Sequence, residues 1–269
     1  LAVKNNLQCA ACHVNPIGGG ARTAYGALYG TQMLPQHAGS GTQFDAGNIS
    51  DTFRIGANFR ANYYQHDSDE DSAGDTKTFQ TQTGQVYFIF QPKDSRFTLY
   101  VDEQIAPGTA LNRETFILAR FGDNYYVKAG KLMLPYGIRL EDNTAFIRQA
   151  SGINFQNSDN GVELGLQYTN TLINFAISNG TTGLTNDDKR MQYLGRIEYL
   201  HGNWRVGASA IVNDAELGQR RMFNIFGGFN WLGFTFLAEA DHIADESVSF
   251  VPDTYQKQRV GLFEINREL

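Results

Sequence analysis

From residue 51 onward the chain alternates with a period of two over stretches longer than ordinary strands. Phe53, Ile55, Ala57, Phe59, Ala61 and Tyr63 interleave with Arg54, Gly56, Asn58, Arg60, Asn62 and Tyr64. Val162, Leu164, Leu166 and Tyr168 alternate with Glu163, Gly165 and Gln167, and Trp204, Val206, Ala208 and Ala210 with Arg205, Gly207 and Ser209. Further runs begin near Thr76, Ser95, Asn112, Asn124, Thr171, Met191, Arg220, Phe234 and Tyr255. The pattern predicts about 12 strands of roughly 9–14 residues, against about 5–6 in an ordinary globular strand. Strands of that length, apolar on one face and polar or small on the other, suit a tilted crossing of a bilayer. The predicted fold class is therefore all-β, an antiparallel outer-membrane β-barrel of about 12 or more strands over residues 51–269. A soluble β-sandwich also alternates, but with shorter strands.

Such a barrel puts Phe53, Ile55, Phe59, Leu164 and Val206 toward lipid, and Arg54, Arg60, Glu163 and Arg205 toward the lumen. Short turns at Gly122-Asp123-Asn124, His201-Gly202-Asn203 and Trp231-Leu232-Gly233 contrast with polar connections at 67–75 and 180–190. Short turns on one rim and long loops on the other are the outer-membrane arrangement, with the long loops outside. Composition closes other routes. The longest apolar runs are a handful of residues, as at Val86-Tyr87-Phe88-Ile89-Phe90, far from the roughly 20 a spanning helix needs. A net charge of −6 with no Lys/Arg-rich run leaves no nucleic-acid surface.

The chain's two cysteines both lie in Cys9-Ala10-Ala11-Cys12-His13, the C-x-x-C-H attachment motif of c-type haem. The spacing follows from the chemistry: each thiol forms a thioether to one haem vinyl group, and the adjacent imidazole reaches the iron. A Cys9–Cys12 redox disulfide and a zinc or copper site are the alternatives. Covalent haem implies export, which the start at Leu1 rather than Met also fits. The next residues, Val14-Asn15-Pro16-Ile17-Gly18-Gly19-Gly20, allow a sharp turn close to a macrocycle. Residues 21–34 read as a short helix ending before Pro35, with Ala21, Tyr25, Leu28 and Tyr29 on the face toward the haem. Met33 is the first candidate for the sixth iron ligand and His37 the alternative. Residues 1–50 form the haem-binding segment. They are too few to wrap a porphyrin, so the segment is predicted to plug or abut the barrel lumen.

Residues 133–159 break the strand rhythm and carry Arg139, Glu141, Asp142 and Arg148, candidate pore-constriction charges. The apolar Ile138, Leu140, Phe146, Ile147 and Phe155 predict that this loop folds inward.

A single C-x-x-C-H followed by Asn-Pro-x-Gly-Gly-Gly, an Ala-Tyr-Gly-x-x-Tyr-Gly segment and a porin-like body resembles the monohaem cytochrome–porin fusion proteins of the bacterial outer membrane. Residues 130–137, Gly-Lys-Leu-Met-Leu-Pro-Tyr-Gly, resemble the strand-to-inner-loop passage of phosphate-selective-type porins. The resemblance implies one haem c, bound through Cys9 and Cys12 with His13 as proximal ligand. It implies electron transfer at the outer membrane, in the manner of iron-oxidising outer-membrane cytochromes. The partners would be a periplasmic cytochrome or other redox protein, outer-membrane lipid, and extracellular iron, a mineral or another cytochrome. The alternative function is an anion porin with the haem segment as a structural or regulatory plug.

Overall fold

The structure is a computed structural model that describes residues 2–32, 49–66, 76–140, 145–186, 188–216, 218–246 and 255–267. Three short helices open the chain: α1 (Ala2–Asn5), α2 (Cys9–Cys12) and α3 (Ala24–Gln32). Next come β1 (Phe53–His66), β2 (Thr76–Phe90), β3 (Phe97–Ala106), β4 (Leu111–Phe121) and β5 (Tyr125–Leu132). After an inner segment with helix α4 (Phe146–Ser151) follow β6 (Asp159–Gln167), β7 (Thr171–Ser178), β8 (Gln192–His201) and β9 (Trp204–Ala215). The last strands are β10 (Gly218–Trp231), β11 (Phe234–Glu246) and β12 (Tyr255–Arg267). Each strand pairs antiparallel with the next, giving one 12-stranded sheet in sequence order. Among the described residues β1 and β12 are its edges. No described helix is long and apolar enough to cross a membrane.

Burial along the strands inverts the pattern of a water-soluble sheet. On β8, Gln192, Leu194, Arg196, Glu198 and Leu200 are buried, while Tyr193, Ile197 and Tyr199 are exposed. On β6, Glu163 is buried between exposed Val162 and Leu164. Ile55, Phe59 and Val206 are likewise exposed, and Phe53 is half-buried against Phe88. Arg205 and Arg54 are half-buried and Arg60 is exposed. Charge inside and hydrocarbon outside is stable only where the surrounding solvent is itself hydrocarbon. A sandwich would bury its apolar face between two sheets, and no second sheet exists among the described residues.

The connections at 91–96, 122–124, 168–170, 202–203 and 232–233 share one rim. Aromatic residues mark it: Phe90, Phe97, Phe121, Tyr125, Tyr168, Trp204 and Trp231 are all exposed there. Such a girdle sits where lipid headgroups meet water. At the opposite rim consecutive strands are separated in the sequence by residues 67–75, 133–158, 179–191 and 247–254, with shorter separations at 107–110 and 216–217.

The loop after β5 shows that the sheet is curled. Met133 N donates to Glu114 on β4, Gly137 N to Ser209 on β9 and Ile138 N to Glu239 on β11, each at 3.0 Å. In a flat sheet β4 and β11 would lie about 34 Å apart, seven spacings of about 4.8 Å. The five steps from Met133 to Ile138 span at most about 17 Å. The wall therefore wraps around the loop. Gly137 has φ +59, and a Cβ there would collide with Glu239, so glycine is needed where the loop meets the wall.

One core fills the interior. Tyr100, Phe116 and Tyr126 of the wall and Met133, Tyr136 and Phe155 of the inner segment are buried together with Val14 and Ala21 of the N-terminal segment.

The helix expected over residues 21–34 begins at Ala24 instead. Ala21 and Arg22 belong to a turn in which Val14 N donates to Ala21 O and His13 bridges to Arg22. Thr23 Oγ1 accepts from Gly26 N and donates to Ala11 O, capping the helix one residue before it starts. Of the expected apolar face, Tyr25 and Leu28 are exposed and Tyr29 lines a cleft. The face that packs is made of glycines, since a Cβ on Gly26 would strike the Cys12 carbonyl and one on Gly30 the Arg22 guanidinium.

Candidate functional site

The N-terminal segment is anchored inside the wall by buried polar contacts. Asn15 Nδ2 donates to Glu114 at 3.1 and 3.2 Å, and Lys128 Nζ donates to Asn15 Oδ1 at 3.2 Å. Lys128 also pairs with Glu163 at 2.7 Å, both fully buried. Ala21 N donates to the Tyr100 hydroxyl at 3.1 Å. At the rim of short turns Gln8 Nε2 donates to the carbonyls of Tyr168 and Thr169, and Gln167 Nε2 donates back to Gln8 Oε1 at 2.9 Å. The segment thus sits at the short-turn mouth, with its tip reaching β3, β4 and β5.

Between this segment and the inner loop lies a partly open cleft with a cavity volume of about 200 Å³. Cys9, Cys12 and His13 line it together, with Leu7, Ile17 and Tyr29 on the segment's side. The opposite side is Ile138 and Arg139 of the inner loop, Arg196 of β8 and Arg205 of β9. Cys9 and Cys12 are not joined in a disulfide. Burial, and next the charge of Glu198, push the Cys9 thiol above its ordinary pKa, while Arg205, Arg196 and Arg139 pull the other way.

The glycine run after the motif shapes the near wall. Gly18, Gly19 and Gly20 have φ of +95, +72 and +60, a succession that only glycine adopts without strain. A Cβ on Gly18 would stand 3.3 Å from the Cys9 sulfur, and one on Gly20 would collide with the Tyr100 hydroxyl. The run keeps space open beside the thiol and lets the backbone lie against β3.

Arg196 is held on three sides: it pairs with Glu198, donates from Nε to Gly137 O at 3.2 Å, and reaches Asn174 Oδ1 at 3.5 Å. Arg205 donates to Glu198 at 3.3 Å. Arg139 pairs with Glu114 at 2.6 Å.

The sequence-derived candidates therefore separate. Cys9, Cys12 and His13 come together in one cleft, and Arg139 joins them. Arg148 does not: its side chain is fully buried and pairs with Glu239 at 2.5 Å. The pair stitches α4 to β11 inside the wall. Met33, His37, Glu141 and Asp142 lie outside the described residues. Arg196 and Glu198 were not singled out from sequence. Their signal was present, since two opposite charges two apart on an alternating strand share its inward face. Among the described residues no group of three or more His, Cys, Asp or Glu side chains could hold a metal ion.

No family model matches the sequence, and no curated protein matches it. Solved structures do resemble the chain. OccAB4 of Acinetobacter baumannii matches with a TM-score of 0.45 and 11% identity, covering 82% of this chain and 66% of that one, just under two thirds of its length. A loop-deletion mutant of OmpT, an outer membrane protein of Vibrio cholerae, gives 0.43 and 11%, over 80% of this chain and 88% of that one. A mutant porin of Rhodopseudomonas blastica gives 0.39 and 9%, over 78% and 94%. At these values the likeness concerns the course of the chain and not what binds or passes through it.

Proposed function

We propose that the chain is a porin-type β-barrel of the bacterial outer membrane, and that it carries one c-type haem at its short-turn mouth for electron transfer. The outward apolar face and the two unequal rims support the first half, with the short-turn rim facing the periplasm. The observation that carries the second half is the cleft in which Cys9, Cys12 and His13 meet the inner loop and the inward arginines.

The residues present suit the group. Cys9 and Cys12 would hold it covalently, and His13 would give its imidazole to the iron. Ile17, Tyr29 and Ile138, which line the cleft, would keep water from its edge. A haem bound there supplies a one-electron ferrous–ferric couple. Met33 or His37, both outside the described residues, would supply the sixth ligand in this reading. The electron partners are a periplasmic cytochrome or other redox protein at the short-turn rim, and extracellular iron, a mineral or a cytochrome on the far side.

A second reading is an anion porin in which residues 1–50 are a plug. The barrel architecture favours it more directly than it favours redox chemistry, and Arg139, Arg196 and Arg205 at one opening suit anions. Against an open passage stand the buried pairs Lys128–Glu163 and Arg148–Glu239, which occupy the interior.

One preparation separates the two. Protein from an export- and haem-maturation-competent host is tested by haem stain after denaturation, by reduced-minus-oxidised spectrum and by conductance in planar bilayers. A covalent haem with low conductance supports electron transfer. Steady anion-selective conductance from a chain without stain rejects it and leaves the porin.

A further inference from the structure

We propose that Arg205 and Arg139 form a carboxylate clamp for the two propionates of the tetrapyrrole, an inference that rests on the haem reading above. The two side chains come from different elements yet are mounted in the same way. Arg139 has one edge on Glu114 at 2.6 Å and its face over the Phe155 ring at 4.6 Å. Arg205 has one edge on Glu198 at 3.3 Å and its face over the Phe226 ring at 5.5 Å. In each, a glutamate fixes the fork and an aromatic ring fixes its plane.

Arg205 is 9% exposed, and its Nε–H is buried with no hydrogen-bond partner. A buried charged donor left unpaired is costly, and this one lines the cleft opposite the thiols. A carboxylate would complete it, since guanidinium binds carboxylate through paired N–H donors. Arg196 is different, because Glu198, Gly137 and Asn174 already take its donors. It positions Glu198.

Charge agrees. The three cleft arginines face two carboxylates, Glu114 and Glu198. The surplus positive charge suits an anionic group. Propionates are the carboxylates that a macrocycle tethered at Cys9 and Cys12 brings with it.

The test uses purified full-length holoprotein carrying Arg205→Gln or Arg139→Gln, each checked for covalent haem by stain and for folding by heat-modifiable migration. Removing a positive charge beside the haem favours the ferric form, so the midpoint potential falls. The expected fall is about tenfold in the ferrous-to-ferric ratio at a fixed poise, about 59 mV for a one-electron couple. Arg205→Lys, which keeps the charge and loses the fork, recovers part of the shift and serves if Arg205→Gln does not fold. Stained, folded variants whose potentials match the wild type overturn the clamp while leaving the haem in place. Wild-type protein without a covalent haem overturns the haem reading, and the clamp with it.

Discussion

Arg148 Nη2 and Glu239 Oε2 meet at 2.5 Å with neither side chain exposed, tying helix α4 to strand β11 in the barrel interior. The same carboxylate accepts from Ile138 N at 3.0 Å and, through its other oxygen, from Asn224 Nδ2 at 2.8 Å. One residue of the wall thus holds the inner segment at two points, Ile138 and Arg148.

Glu239→Ala should be strongly destabilising. It strands a buried guanidinium, and breaking a buried pair from one side costs about 3–5 kcal/mol. Thermal unfolding in detergent should show a lowered midpoint, and limited proteolysis should cut the inner segment. A variant as heat-resistant as the wild type would mean that Glu239 does not hold the loop.

Ile197 separates lipid from water as the outer solvent. It is half exposed between buried Arg196 and Glu198. Ile197→Arg should cost roughly 2–4 kcal/mol if its position is near the bilayer midplane, whereas Ile197→Leu should cost little. Folding yields into lipid vesicles along a urea series read both. An arginine tolerated without loss would contradict the membrane-facing assignment.

Gly26→Ala sets two effects against each other. Helix propensity favours alanine by about 1 kcal/mol. The added methyl, however, would strike the Cys12 carbonyl, and backbone has little freedom to give way. Packing should win, so α3 moves off α2. Alkylation of Cys12 in protein made without haem attachment should become faster. An unchanged rate would show that the two helices are not in contact.

Cys9 should make the stability of haem-free protein fall at alkaline pH. Its thiol titrates above the ordinary value in the folded state, chiefly through burial. Between the unfolded and folded pKa values the folded chain holds one more proton, so stability declines as pH rises through that window and not below it. Denaturant titrations at stepwise higher pH, compared with Cys9→Ser, measure the difference. Identical pH slopes would remove Cys9 as the cause.

The alternation of residues determined the strands because a strand's side chains point to opposite faces by covalent geometry alone. That period placed Ile55, Phe59, Leu164 and Val206 outside and Glu163 and Arg205 inside, where the structure has them. Glycine and polar turns punctuated the strands for equally local reasons. The helix after the haem motif was only partly legible. Its packing face is made of glycines, and a hydrophobic-period reading looks for bulk where this fold needs absence.

What only the tertiary structure decided is which charges meet. Alternation puts Arg196, Glu198 and Arg205 on the inner face but does not say that Gly137 and Arg139 arrive beside them. That depends on the curl of the sheet, which brings β4, β9 and β11 within reach of one loop. Likewise the sequence offered Arg148 as a constriction candidate without its partner, and only folding set it against Glu239, some ninety positions away. Pairing across such separations is fixed by the curl of the wall around the loop, a global property that no local period encodes.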